Sequence, residues 1–181
     1  MERKIRSVVQ GFQRSFVLMA ANELGIFGAL AEGALPVDRI AGDLKISLKG
    51  AERLLDALAG MEILAKENER YRLMDGWKNY LALDGENSLR QWIQLNADLA
   101  PVWLRLTEFI RSGRQIKNIM DDLKNDPEKM RAFIAAMHDK AVKDARLLAR
   151  EIPIGEARSM LDLGGGPGTY ALEWAKLNPW L

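Results

Sequence analysis

Asp162 opens a run in which glycine recurs at positions 164, 166 and 168, with Gly165 and Pro167 between them; "LDLGGGPGTY" therefore reads D-x-G-x-G-x-G. Glycine admits backbone angles that a β-carbon forbids, and it lets a ligand approach the main-chain N–H and C=O groups closely. A carboxylate at the head of such a loop orients it or accepts from a ligand amine. The apolar run Ser159–Leu163 predicts a strand from the centre of a parallel sheet, and Thr169–Leu177 predicts the helix after it, stopped by Asn178-Pro179. The pattern is that of a strand, a tight loop and a helix.

Two familiar chemistries do not fit this loop. The dinucleotide fingerprint G-x-G-x-x-G needs its last glycine at position 169, where Thr169 stands. A Walker loop needs Gly-Lys-Ser or Gly-Lys-Thr, and neither closes the run. The motif instead points to S-adenosylmethionine, against the competing reading of a glycine-rich turn with no ligand. His138 is the single histidine, and alone on a helix it reads as a surface or hydrogen-bonded residue before it reads as a base. With no cysteine there is no disulfide, thiolate nucleophile or cysteine-ligated zinc; no metal ligands are assigned.

Several elements must carry this loop. Phe12, Phe16, Val17, Ala20, Leu24 and Phe27 recur at helical spacing and predict an amphipathic helix over 11–30, breaking near Gly25 and Gly28. Residues 35–44 predict a short helix burying Ile40, Ala41 and Leu44. Ser47 caps a second, whose Leu54, Leu55, Leu58 and Met61 share one face. Ile63–Lys66 and Arg70–Leu73 flank the polar turn Glu67-Asn68-Glu69 as a hairpin, which completes a winged helix. Trp92, Leu95, Leu99, Trp103, Leu106 and Ile110 predict a helical seam kinked at Pro101. Asp126 and Pro127 announce a further helix burying Met130, Phe133, Ile134, Met137, Ala141 and Leu148, ended by Pro153 and Gly155.

The balance of charge is even, 26 basic against 25 acidic residues for a net +1, so no overall field favours nucleic acid or an anionic membrane. The longest apolar run, Phe16–Ala21, is far too short to span a bilayer. We expect a soluble, cytoplasmic chain with no membrane partner.

A winged helix, a helical stretch and then this glycine loop resemble the N-terminal half of the O-methyltransferases typified by plant caffeic-acid and bacterial hydroxyneurosporene methyltransferases. The resemblance extends over "ANELGIFGAL", "AERLLDALAGMEIL", "RYRLMDGWKNYL", "FIAAM" and the loop itself. It implies a mainly α chain with three parts: a winged-helix dimerisation domain over 1–86, a helical linker over 87–156, and from 157 to 181 the first β-α unit of a truncated Rossmann-like domain. It also implies a homodimer through the N-terminal helices, S-adenosylmethionine as cofactor, and a small hydroxylated molecule as methyl acceptor. By the same resemblance Phe133 and Met137 match linker-helix positions that touch cofactor or substrate. Gly164 and Gly166 match its cofactor loop, which here includes Asp162, Gly165 and Gly168. Many plant members carry a serine where Ala141 stands, which removes one cofactor hydrogen bond. The family's ribose-binding acid and histidine base lie in its C-terminal part, so no catalytic residue is assigned, and the 181 residues alone are expected to be inactive. The whole protein is then expected to be on the order of 330 residues long, with the tail from Ser159 unstable by itself. The rival reading is a winged-helix transcription regulator. Its recognition helix would expose Lys49 and Arg53 together with Glu52 and Asp56, a near-cancelling set that argues against nucleic acid.

Overall fold

The computed structural model describes residues 1–82, 85, 87–114 and 123–181. These form two compact units, Met1–Ala97 and Asp98–Leu181.

In the first unit, α1 (Glu2–Glu23) is followed by the short α2 (Ile26–Ala29), separated by Gly25 in the left-handed region. Then come β1 (Leu35–Pro36), α3 (Val37–Leu44), α4 (Leu48–Gly60), β2 (Leu64–Glu67), β3 (Arg70–Leu73) and α5 (Asp75–Leu81). The antiparallel sheet has the order β1-β3-β2, with Leu64 opposite Leu73 and Glu67 opposite Arg70. Asn68 and Glu69 both adopt positive φ, the two-residue geometry whose twist matches its strands. Ser47 Oγ accepts from the Gly50 amide at 3.0 Å and starts α4 as its sequence requires. The core gathers Ile26, Phe27, Ile40, Leu55, Leu58, Ile63, Leu64 and Tyr71. Buried Asn22 ties α1 to the start of α6 (Arg90–Trp103): its Oδ1 accepts from Arg90 Nε at 3.1 Å and its Nδ2 donates to the Arg90 carbonyl at 3.2 Å.

Four expectations are corrected. The first helix starts at Glu2, nine residues earlier than its apolar stripe, and residues 1–16 are all exposed. Leu35 and Pro36, expected to open a helix, pair instead with Tyr71 and Arg70; Pro36 holds an extended backbone that only a tertiary partner reveals. The seam helix is not continuous. It breaks at Leu104 and Arg105 between α6 and α7 (Leu106–Ser112), one turn beyond Pro101, which lies inside α6 and cannot donate to the Ala97 carbonyl. Ile93 of this stretch is buried, whereas Trp103, Leu106 and Ile110 are exposed.

The fourth correction concerns the second unit, where α8 (Pro127–Glu151) packs against α9 (Thr169–Leu177). Asp126 caps α8, its Oδ1 accepting from the amides of Glu128 and Lys129 at 3.1 Å; the Lys129 amide and then the Lys129 ammonium hold its carboxyl below the usual range. α8 buries Ala136, Val142, Ala145 and Ala149; Met130, Phe133, Ile134, Met137 and Ala141 are only half-buried and Leu148 is exposed. Small residues let another helix approach closely, so the fully covered face is the alanine face and not the bulky one. The expected strand Ser159–Leu163 forms no ladder among the described residues, and Leu161 and Leu163 are 80% and 84% exposed. A strand is defined by a hydrogen-bonded neighbour, which composition cannot supply. The helical half of the β-α unit, α9, starts and stops where its sequence places it.

Candidate functional site

The glycine loop lies against α8 and leaves a cavity of about 350 Å³. Met137, Lys140, Ala141 and Asp144 form one wall. Gly164, Gly165, Gly166, Pro167, Thr169 and Tyr170 form the other. The α8 residues fall at i, i+3, i+4 and i+7, the spacing that sets side chains above one another on a single helix face.

Gly164, Gly166 and Gly168 have φ of +72°, +55° and +70°, so the alternation in sequence is an alternation of left-handed backbone. Such alternation turns successive N–H groups toward one concavity, a geometry suited to oxygen ligands. Gly165 answers a different need: a β-carbon there would fall inside the Asp162 carboxylate. The Asp162 side chain therefore packs closely against the Gly165 backbone. Gly168 caps α9, and its amide donates to the Gly165 carbonyl at 2.8 Å to close the turn.

Of the site residues read from sequence, Met137, Gly164, Gly165 and Gly166 come together around the cavity. Asp162 and Gly168 support the loop without lining it. Phe133 stands one turn before Met137 on α8, half-buried, and does not line the cavity. Lys140, Asp144, Pro167, Thr169 and Tyr170 were not assigned from sequence. The helical spacing from Met137 and adjacency to the glycines were the signals that could have found them.

Polar contacts involving His138, Arg146 and Ile152 join α8 and the residue after it to α9. His138 Nδ1 lies 2.9 Å from Thr169 Oγ1. Glu173, buried on α9, pairs with Lys176 at 2.5 Å and with Arg146 at 3.7 Å. Trp174 Nε1 donates to the Ile152 carbonyl at 2.9 Å.

In the first unit, α4 exposes Lys49, Glu52, Arg53 and Asp56. Asp56 is engaged within the unit: it accepts from the buried Tyr71 hydroxyl at 2.7 Å and from Lys66 Nζ at 2.9 Å. The Tyr71 hydroxyl and then Lys66 hold its carboxyl below its ordinary value, while burial pushes the Tyr71 phenol up. On this helix two cations thus stand among two carboxylates, and Asp56 holds α4 to the wing.

The O-methyltransferase dimerisation domain matches residues 7–80. In this segment the chain is similar to the O-methyltransferases. The relatives agree along almost all of it. The 3-hydroxy-5-methyl-1-naphthoate 3-O-methyltransferase of Streptomyces sahachiroi is 29% identical over 98% of this chain and 52% of its own length. The tetracenomycin polyketide synthesis 8-O-methyl transferase TcmO of Streptomyces glaucescens is 31% identical over 98% of this chain and 54% of its own. Human N-acetylserotonin methyltransferase, solved in complex with SAM, superposes with a TM-score of 0.86 at 25% identity, covering 99% of this chain and 56% of that one. The chain spans about half the length of the curated relatives it matches. The dimerisation domain ends within α5, ahead of both α8 and the glycine loop.

Proposed function

We propose that this chain is the N-terminal part of an S-adenosylmethionine-dependent O-methyltransferase that methylates a hydroxyl of a small molecule. In this reading residues 1–86 mediate homodimerisation, 87–156 link, and 157–181 begin the cofactor domain. One observation carries it: the D-x-G-x-G-x-G loop, with Asp162 packed against Gly165, faces the Met137 side of α8 across a cavity of about 350 Å³. Such a space is within the range of small-molecule sites. The loop supplies backbone N–H groups to the polar atoms of the cofactor, and Met137 and Ala141 supply an apolar wall. S-adenosylmethionine, when bound, provides the electrophilic methyl; this chain's residues bind and orient it. Methyl transfer also needs a base within about 3 Å of the acceptor hydroxyl, and none of the cavity residues is placed in that role. Among the described residues no helix is long and apolar enough to cross a membrane, in keeping with a cytoplasmic enzyme.

Calorimetric titration of the 181-residue chain with S-adenosylmethionine tests the site. We expect binding weaker than about 10 µM, or about −7 kcal/mol, with no methyl transfer. Gly165→Leu, which drives a side chain into the Asp162 carboxylate, should abolish it. Binding by Gly165→Leu equal to the parent chain would overturn the assignment of the loop. Micromolar or tighter binding by the parent would place the cofactor elsewhere.

A further inference from the structure

The two walls of the cavity belong to different segments, α8 and the loop leading into α9. A ligand between them is positioned only as well as the walls are held to each other. The His138–Thr169 contact is the polar link that reaches a residue of the cavity lining; Glu173 and Trp174, which carry the neighbouring links, lie outside it. Thr169 is 1% exposed, so its hydroxyl depends on His138 and not on bulk water. It is also the first residue of α9, directly after Gly168, whose left-handed backbone and bond to Gly165 shape the loop. Fixing Thr169 therefore fixes the end of the loop. On the other side, His138 is next to Met137 and two residues before Lys140, both of which face the cavity.

We propose that His138 is a positioning residue: through the Thr169 hydroxyl it latches the glycine loop to α8 and so sets the shape of the cavity. The function of the latch rests on the cofactor reading, whereas its mechanics rest on the hydrogen bond alone. Either neutral tautomer serves, since Nδ1 accepts from the hydroxyl in one and donates to it in the other. His138 does not line the cavity, and no proton transfer is assigned to it.

The test uses the full 181-residue chain. His138→Phe keeps a ring and removes the bond; His138→Asn returns an amide atom near the Nδ1 position. Amide hydrogen exchange is read at Gly168 and Leu172, whose N–H groups bond to the Gly165 and Gly168 carbonyls, with Leu55 and Leu58 of the first unit as reference. We expect His138→Phe to speed exchange at Gly168 and Leu172 by about tenfold, the reference amides to be unchanged, and His138→Asn to restore protection to within about threefold. Thr169→Val removes the same bond from the loop side and should give the same acceleration, which keeps the test decisive should the phenylalanine variant fold poorly. Unchanged exchange in Thr169→Val, or an asparagine variant no better protected than the phenylalanine one, would overturn the latch. A parallel NMR titration with S-adenosylmethionine separates the two readings. Weaker loop shifts in His138→Phe than in the parent support positioning of the cofactor, whereas a parent chain without any response counts against the cofactor reading and leaves the exchange result to decide the latch.

Discussion

At Gly165 the Asp162 carboxylate fills the volume that a β-carbon would need, and at Gly164, Gly166 and Gly168 the backbone turns left-handed. The four glycines thus meet two separate constraints, close approach at one position and positive φ at three. The spacing in sequence exposed the second constraint but not the first. On the winged helix the comparable local device is the pair of Tyr71 and Asp56. Replacing Tyr71 by Phe removes a bond from a buried hydroxyl to a half-exposed carboxylate. Discounted for solvent, that loss is about 1 kcal/mol at neutral pH. Because the folded-state pKa of Asp56 is depressed, its contribution is present above the ordinary carboxylate value and is lost as pH falls through the folded one. Urea unfolding of the Tyr71→Phe variant should therefore show a deficit that persists from pH 7 to about pH 4 and shrinks below it. A deficit unchanged down to pH 2 would mean that packing, and not the charged bond, is responsible.

Helix α1 presents Ile5, Val8, Val9, Phe12 and Phe16 at helical spacing, all exposed, while only its C-terminal end reaches the core. Each large apolar side chain left in water forgoes about 1.5–3 kcal/mol of burial. In the proposed homodimer this face meets the partner. Light scattering after gel filtration at about 10 µM should report a dimer for the parent and a monomer for Phe12→Glu, a charge that cannot be buried unpaired. A parent that elutes as a clean monomer, or a Phe12→Glu dimer, would remove α1 from the interface. Elements were legible wherever their signal was local. Ser47 and Asp126 announced two helix starts, the polar turn Glu67-Asn68-Glu69 announced the hairpin although Glu67 itself falls in β2, and Asn178-Pro179 announced the end of α9. Elements that exist through a distant partner were not legible. β1 is a strand because β3 lies beside it, Ser159–Leu163 forms no ladder because none does among the described residues, and α8 buries its alanines because α9 crosses there. The same limit applied to the site: the glycines were found by type and spacing and Met137 through the family resemblance, but Thr169 and His138 are joined only by the crossing of two helices.

In the proposed reading the first unit serves assembly and the second holds the cofactor. The dimerisation domain over 7–80 carries an apolar core, a wing and balanced surface charge on α4, and nothing in that unit is assigned to the cofactor. The second unit carries the glycine loop, the cavity against α8 and the polar links between α8 and α9. Its exposed Leu161 and Leu163, and the half-exposed Leu172 and Leu177 of α9, contrast with the buried Leu55 and Leu58 of α4. Unit 2 is accordingly expected to open at lower free energy than unit 1. The central claim is that the cofactor sits between the loop and α8. Irradiating the 181-residue chain with methyl-labelled S-adenosylmethionine at millimolar concentration, followed by peptide mapping, addresses it most directly. The account predicts label in peptides spanning 133–144 and 159–170, competed away by unlabelled S-adenosylhomocysteine. Label confined to the winged helix, or insensitive to the competitor, would contradict it.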